Sequence, residues 1–172
     1  MGKSIDRASR TGQVQDRSGT GRLGSFMYAK IVMAYVATAL VFGVLDAVWL
    51  RNAGPLLYRP ALGDLLADKF RLAPAITFYA IYIAGLTYFA VVPGMLSNGG
   101  AAVSMFAGVP LAVLHGMLLG LFAYATYDLT NQATMKVWPS HLTLIDMAWG
   151  AVASGFAAGA TTFIVTRLGG PV

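Results

Sequence analysis

Ile31-Val-Met-Ala-Tyr-Val-Ala-Thr-Ala-Leu-Val-Phe-Gly-Val-Leu-Asp46-Ala-Val-Trp49-Leu50 is a nearly unbroken apolar run with one carboxylate close to its end. At 1.5 Å of rise per residue, a helix of this length covers roughly 30 Å, the thickness of a bilayer's hydrocarbon core. Three more apolar stretches follow, at about 73 to 92, 102 to 126 and 142 to 166. The pattern predicts an all-α integral membrane protein, a four-transmembrane-helix bundle, over residues 27 to 172. The first run is about twice as long as the apolar part of a cleaved signal peptide and carries Asp46, so it is read as a span.

The composition agrees with a bilayer setting. Only 11% of the 172 residues are charged, against the quarter or so expected of a soluble domain, and 57% are hydrophobic. There is no Glu, so the Glu-to-Lys pairs that decorate solvent-facing helices are absent. There is no Cys either, which excludes disulfides, thiolate metal sites and thiol nucleophiles. The net charge of +5 would suggest nucleic acid in a soluble chain, but Lys3, Arg7, Arg10, Arg17, Arg22 and Lys30 all precede the first span. That charge is read as flanking, with membrane lipids rather than nucleic acid as the partner.

Residues 1 to 26 have almost no large apolar side chains and are expected to form a disordered basic tail. Gly19, Gly21 and Gly24 match the spacing of a dinucleotide-binding turn, but no strand precedes them, so no cofactor is expected. Asp6 occupies the position where a myristoylation signal prefers Ser or Thr. Met27 is a second candidate start, because the first span follows it almost at once.

The connections differ in character. Residues 93 to 101 read as a tight uncharged hairpin. Residues 51 to 72 place Leu62, Leu65, Leu66 and Phe70 on one side and Asp64 and Asp68 on another, the pattern of a short surface helix. Residues 127 to 141 form a polar connection, with Ser140 as the cap of the fourth helix. Pro110 is expected either to kink the third span or to mark its ordered start.

Alternating crossings put the end of the first helix, the end of the third and the start of the fourth at one membrane face. Asp46, Asp128 and Asp146 therefore share a depth zone, with Asp46 and Asp146 each about 8 Å inside a helix end. A carboxylate in a span costs roughly 2.5 to 3.5 kcal/mol on insertion scales, so its presence points to function. The candidate ligand-binding set is Asp46, Trp49, Tyr127, Asp128, Asn131, Asp146 and Trp149. Asp46 and Asp146 are the candidates for acid/base work. The alternative is that each Asp merely joins helices. The pattern Asp-x-x-Trp occurs twice, on antiparallel helices, so Trp49 is expected to point toward water and Trp149 toward the bilayer centre.

His115 stands alone within the third span and reads as a hydrogen-bonded packing group, with a proton-relay role as the alternative; a metal site needs more ligands, and no metal is expected. Gly150, Ser154, Gly155 and Gly159 give the fourth helix a small-residue face suited to close packing inside the bundle. Counting the tail, the face opposite the aspartates has seven Lys or Arg against five on the Asp side, and without the tail two (Lys30 and Arg167) against five (Arg51, Arg59, Lys69, Arg71 and Lys136). The charge count therefore leaves orientation open, with a slight lean toward a cytoplasmic Asp face from the residues nearest the spans.

Leu45-Asp46-Ala-Val-Trp49-Leu50, Tyr58-Arg59, Phe122-Ala-Tyr-Ala-Thr-Tyr-Asp128-Leu-Thr-Asn131, Trp138-Pro139 and Leu144-Ile-Asp146-Met-Ala-Trp149-Gly150 together resemble a bacterial predicted-membrane-protein family. It is the family named domain of unknown function twenty-one seventy-seven. The resemblance covers about residues 28 to 160 and implies a four-helix protein of the cell inner membrane, without an activity to carry over.

The function expected from the residues is binding of a lipid head group or other amphiphile at the Asp cluster, with lipid modification as an extension. Proton- or cation-coupled transport is one alternative, and a structural assembly subunit without a ligand is another. A second copy of the chain or a membrane-complex partner is compatible with each.

Overall fold

The protein is described from a computed structural model that covers residues 5 to 97 and 108 to 169, with side chains from 24 to 97 and 108 to 168. Among these residues four helices are long and apolar enough to cross a membrane: Gly24–Leu65, Leu72–Leu96, Val109–Thr134 and Ser140–Leu168. This is the four-helix membrane bundle expected from the apolar runs.

Helix α1 spans Ile5–Ala53. Every fourth residue from Lys30, through Ala34, Thr38 and Phe42 to Asp46, is buried. Val32, Val36, Leu40, Val44 and Val48 form an exposed stripe at the same spacing. In lipid both faces are apolar, so the helix is sorted by size and polarity: small and polar residues turn inward, branched aliphatic ones outward. Residues 5 to 26 continue this helix. A helix already nucleated in a span extends at one hydrogen bond per added residue, without a new nucleation cost. Residues 1 to 4 lie outside the described range.

The expected surface helix over 51 to 72 is replaced by an irregular continuation of α1. A π-helical turn covers Gly54–Tyr58, helix α2 covers Arg59–Leu62, and a 3-10 turn covers Gly63–Leu65. Pro55 and Pro60 supply no N–H, and the Arg59 N–H bonds the Gly54 carbonyl five residues back. Gly63, at φ 48°, then turns the chain.

Helix α3 (Leu72–Leu86), a π-helical turn (Thr87–Val91) and α4 (Val92–Leu96) make the second span. Residues 93 to 96, expected in a hairpin, belong to its last turn; 98 to 101 lie outside the described residues. Pro93 cannot donate to the Phe89 carbonyl four residues before it. His115 Nδ1 hydrogen-bonds that carbonyl at 3.1 Å from the third span, and an N–H must be the donor there. The packing histidine thus supports a proline distortion on the neighbouring helix.

Helix α5 (Val109–Thr134) starts after Gly108, at φ 78°, with Pro110 in its first turn. Residues 102 to 107 are outside the described range. The helix runs on to Thr134, so Tyr127, Asp128 and Asn131 sit on its last turns and not in a loop, because nothing before Met135 breaks the hydrogen-bond ladder. Helix α6 covers Ser140–Gly169. Ser140 is its first residue, and its hydroxyl accepts from Gln132 Nε2 at 2.8 Å in place of the expected capping role.

The most extensive packing is between α5 and α6. A Cβ built on Gly116 would lie 2.6 Å from the Ser154 carbonyl oxygen, and one on Gly120 would run into the Gly150 carbonyl. The small-residue face of α6 is used within the bundle, as expected. Gly120→Val should therefore lower the stability of the detergent-solubilised protein by about 1 to 3 kcal/mol through overpacking. Gly43→Ala, whose added Cβ meets nothing within 4 Å, should cost nothing or stabilise slightly. Thermal unfolding followed by circular dichroism compares the two, and equal losses would contradict the close approach.

Candidate functional site

The three aspartates converge at one end of the bundle. Asp46 comes from α1, Asp128 from the last turns of α5 and Asp146 from the first turns of α6; all border one cavity of about 430 Å³. Asp46 and Asp146 are each 5% exposed and Asp128 is 0% exposed. They are thus more deeply enclosed than a shallow position near the headgroups suggests, because neighbouring helices cover them.

Two of the three carboxylates are bonded across helices. Asp46 Oδ2 accepts from the Tyr79 hydroxyl at 2.5 Å, and its Oδ1 from Trp149 Nε1 at 3.2 Å. Asp146 Oδ1 accepts from the Tyr58 hydroxyl at 2.6 Å, and Tyr58 in turn accepts from Trp49 Nε1 at 3.0 Å. Each Asp-x-x-Trp copy therefore sends its tryptophan to the other copy's carboxylate, directly or through Tyr58. The two indoles stack, with centroids 4.4 Å apart and planes 8° from parallel. The expected divergence of Trp49 and Trp149 is corrected: the i+3 spacing sets only the helix face, whereas χ angles and the approach of α1 to α6 bring the rings together.

Spacing along the helix does not single out Tyr58 as a site residue. In a regular α-helix it would lie about 120° from Asp46 around the axis. The extra residue of the Gly54–Tyr58 π turn rotates it back by about 100°, onto the side of Asp46 and Trp49. Tyr79, Tyr82 and Tyr124 are further wall residues. The only sequence signal for them was a hydroxyl in an otherwise apolar helix, since a buried phenol needs a partner. Tyr82 finds Ser154 Oγ at 2.7 Å.

Asp128 differs from the other two. Both its oxygens are buried without a hydrogen-bond partner among the described residues. Asn131, one turn further along α5, is not among the cavity residues, and its backbone carbonyl accepts the Met135 N–H at the helix end. Tyr127 does line the cavity, packed edge-on to Trp138 at 5.7 Å. Trp138 is held by a chain from Nε1 to Thr143 Oγ1 (3.1 Å) and from Thr143 to Gln132 Oε1 (2.9 Å), which ties the α5–α6 connection. The remaining wall is apolar, and Leu50, Leu66, Phe70 and Phe78 are exposed on its outer side. Among the described residues no group of three or more His or Asp side chains is placed to hold a metal ion.

Residues 31 to 163 match the family described as predicted membrane protein (DUF2177). The chain belongs to this family. The match includes both Asp-x-x-Trp copies, Tyr58, Tyr79 and Asp128, so the whole carboxylate network of this DUF2177 protein lies inside the family's shared region. No curated protein and no solved structure matches the chain.

The network makes a coupling prediction. Tyr58→Phe leaves both Trp49 Nε1 and Asp146 Oδ1 without their partner and should cost about 1 to 3 kcal/mol. Trp49→Phe and Tyr58→Phe should combine non-additively, with an interaction of at least about 0.5 kcal/mol, whereas Tyr58→Phe and Thr166→Val should add. A double-mutant cycle on thermal or denaturant unfolding measures this, and additivity in the first pair would refute the shared bond.

Proposed function

We propose that the cavity holds the head group of a lipid or another amphiphile, its polar end against Asp128 and its apolar chain leaving across Leu66, Phe70 and Phe78. What supports this is the combination of a fully buried, unpartnered carboxylate with an adjoining cavity whose outer wall is exposed and apolar. A buried polar group without a partner costs free energy, and a charged one costs far more, so the site is completed by a molecule that brings donors. A purely structural role accounts for Asp46 and Asp146, which join α1, α3 and α6, but it gives Asp128 nothing to join.

On this reading any acid/base step on a bound head group falls to Asp128, because Asp46 and Asp146 already hold donors from their neighbours. The protein works in a bacterial inner membrane, which its four spans cross.

The experiment is lipid retention. The full chain is purified in mild detergent and its bound amphiphiles are identified by native mass spectrometry. Ala75→Trp narrows the cavity wall without touching the carboxylates, and Asp128→Asn removes the charge without changing shape. Both should reduce retention several-fold, with Ala75→Trp keeping the parent's melting temperature. Equal retention in all three proteins would overturn the proposal. A pH-driven proton flux in vesicles that is lost with Asp128→Asn would support transport instead.

A further inference from the structure

We infer that the head group carries an ammonium centre: the ligand class is an amine, cationic or zwitterionic, on an apolar chain. This narrows the amphiphile reading above and rests on it. Among the described residues the cavity is bordered by Asp46, Asp128 and Asp146 and by no Lys, Arg or His. A phosphate or sulfate head without its own positive charge would meet like charge at short range in a low-dielectric setting. A neutral polyol satisfies acceptors but leaves negative charge uncompensated.

An ammonium group meets each requirement of this wall. It donates charge-assisted hydrogen bonds to the two unpartnered oxygens of Asp128. Trp49, Tyr79, Tyr124 and Trp138 line the same space, and a cation is attracted to aromatic rings. A bare metal ion fits less well, because the three carboxylates border a volume of about 430 Å³ and do not converge on one point.

All three tryptophans of the chain stand at this site: Trp49 and Trp138 line it, and Trp149 stacks on Trp49. Intrinsic fluorescence therefore reads it directly. The full chain in dodecyl maltoside micelles is titrated with dodecylammonium and dodecyl phosphate, which differ only in the head. Dodecylammonium should change the emission at concentrations about tenfold or more below dodecyl phosphate, the effect expected of one charge-assisted bond. Asp128→Asn should shrink that preference to less than about threefold, while Asp64→Asn, outside the cavity, should leave it intact.

In nanodiscs, a response to ethanolamine phospholipid but not to glycerol phospholipid would place the amine in the bilayer lipid. A response to alkylammonium alone would place it in a free amphiphile. Dodecyl phosphate binding as well as the amines would overturn this inference and leave the amphiphile reading standing. No emission change with any probe, together with no retained lipid, would overturn both. If Asp128→Asn does not fold, the head-group series on the parent chain decides alone.

Discussion

A carboxylate inside a membrane helix has no water to bond, so it must find donors within the protein, and that requirement organises this fold. Asp46 and Asp146 meet it by reaching across the bundle. Asp46 on α1 takes the indole N–H of Trp149 on α6, and Asp146 on α6 takes Tyr58, which Trp49 supports from α1. The stacked indoles lie between the two halves. Because Trp149 reaches Asp46 from α6 and Tyr58 reaches Asp146 from the continuation of α1, the network sets the rotation and depth of α1 relative to α6. Lipid is as apolar as the helix surfaces, so hydrophobicity alone cannot do so.

Backbone features make that network reachable. Close approach of α5 and α6 depends on Gly116, Gly120 and Gly150, where no side chain separates the backbones. The prolines act differently. Pro55 and Pro60 accompany the π turn that brings Tyr58 round to Asp146, and Pro93 leaves a carbonyl that His115 satisfies. In each case a lost hydrogen bond on one helix is compensated by a side chain or by a wider turn, as membrane helices require.

Against this bonded frame Asp128 stands apart. Three aspartates at one depth looked like one class of residue, yet two are joints between helices and the third faces a cavity with both oxygens unpartnered. That division separates the part of the cluster that holds the bundle together from the part available to a ligand. It also assigns the surrounding tyrosines. Tyr58 and Tyr79 belong to the joints, and Tyr124 and Tyr127 to the wall beside Asp128.

The sequence alone determined the four spans, their alternation and hence the gathering of Asp46, Asp128 and Asp146 at one face, because helix length and apolar run are set by bilayer thickness. It also marked the packing face of α6 through its glycines and serine. It did not determine that residues 51 to 65 continue the first helix, that Asn131 stays out of the cavity, or that the two tryptophans stack. Those depend on a single extra residue in a π turn, on side-chain rotamers and on how closely α5, α6 and α1 approach. Such quantities belong to contacts between distant segments, which a period of 3.6 residues along one helix does not encode. Only the tertiary structure decided which carboxylates were partnered, since partnering requires a donor within about 3 Å, whereas topology resolves only which face a residue occupies.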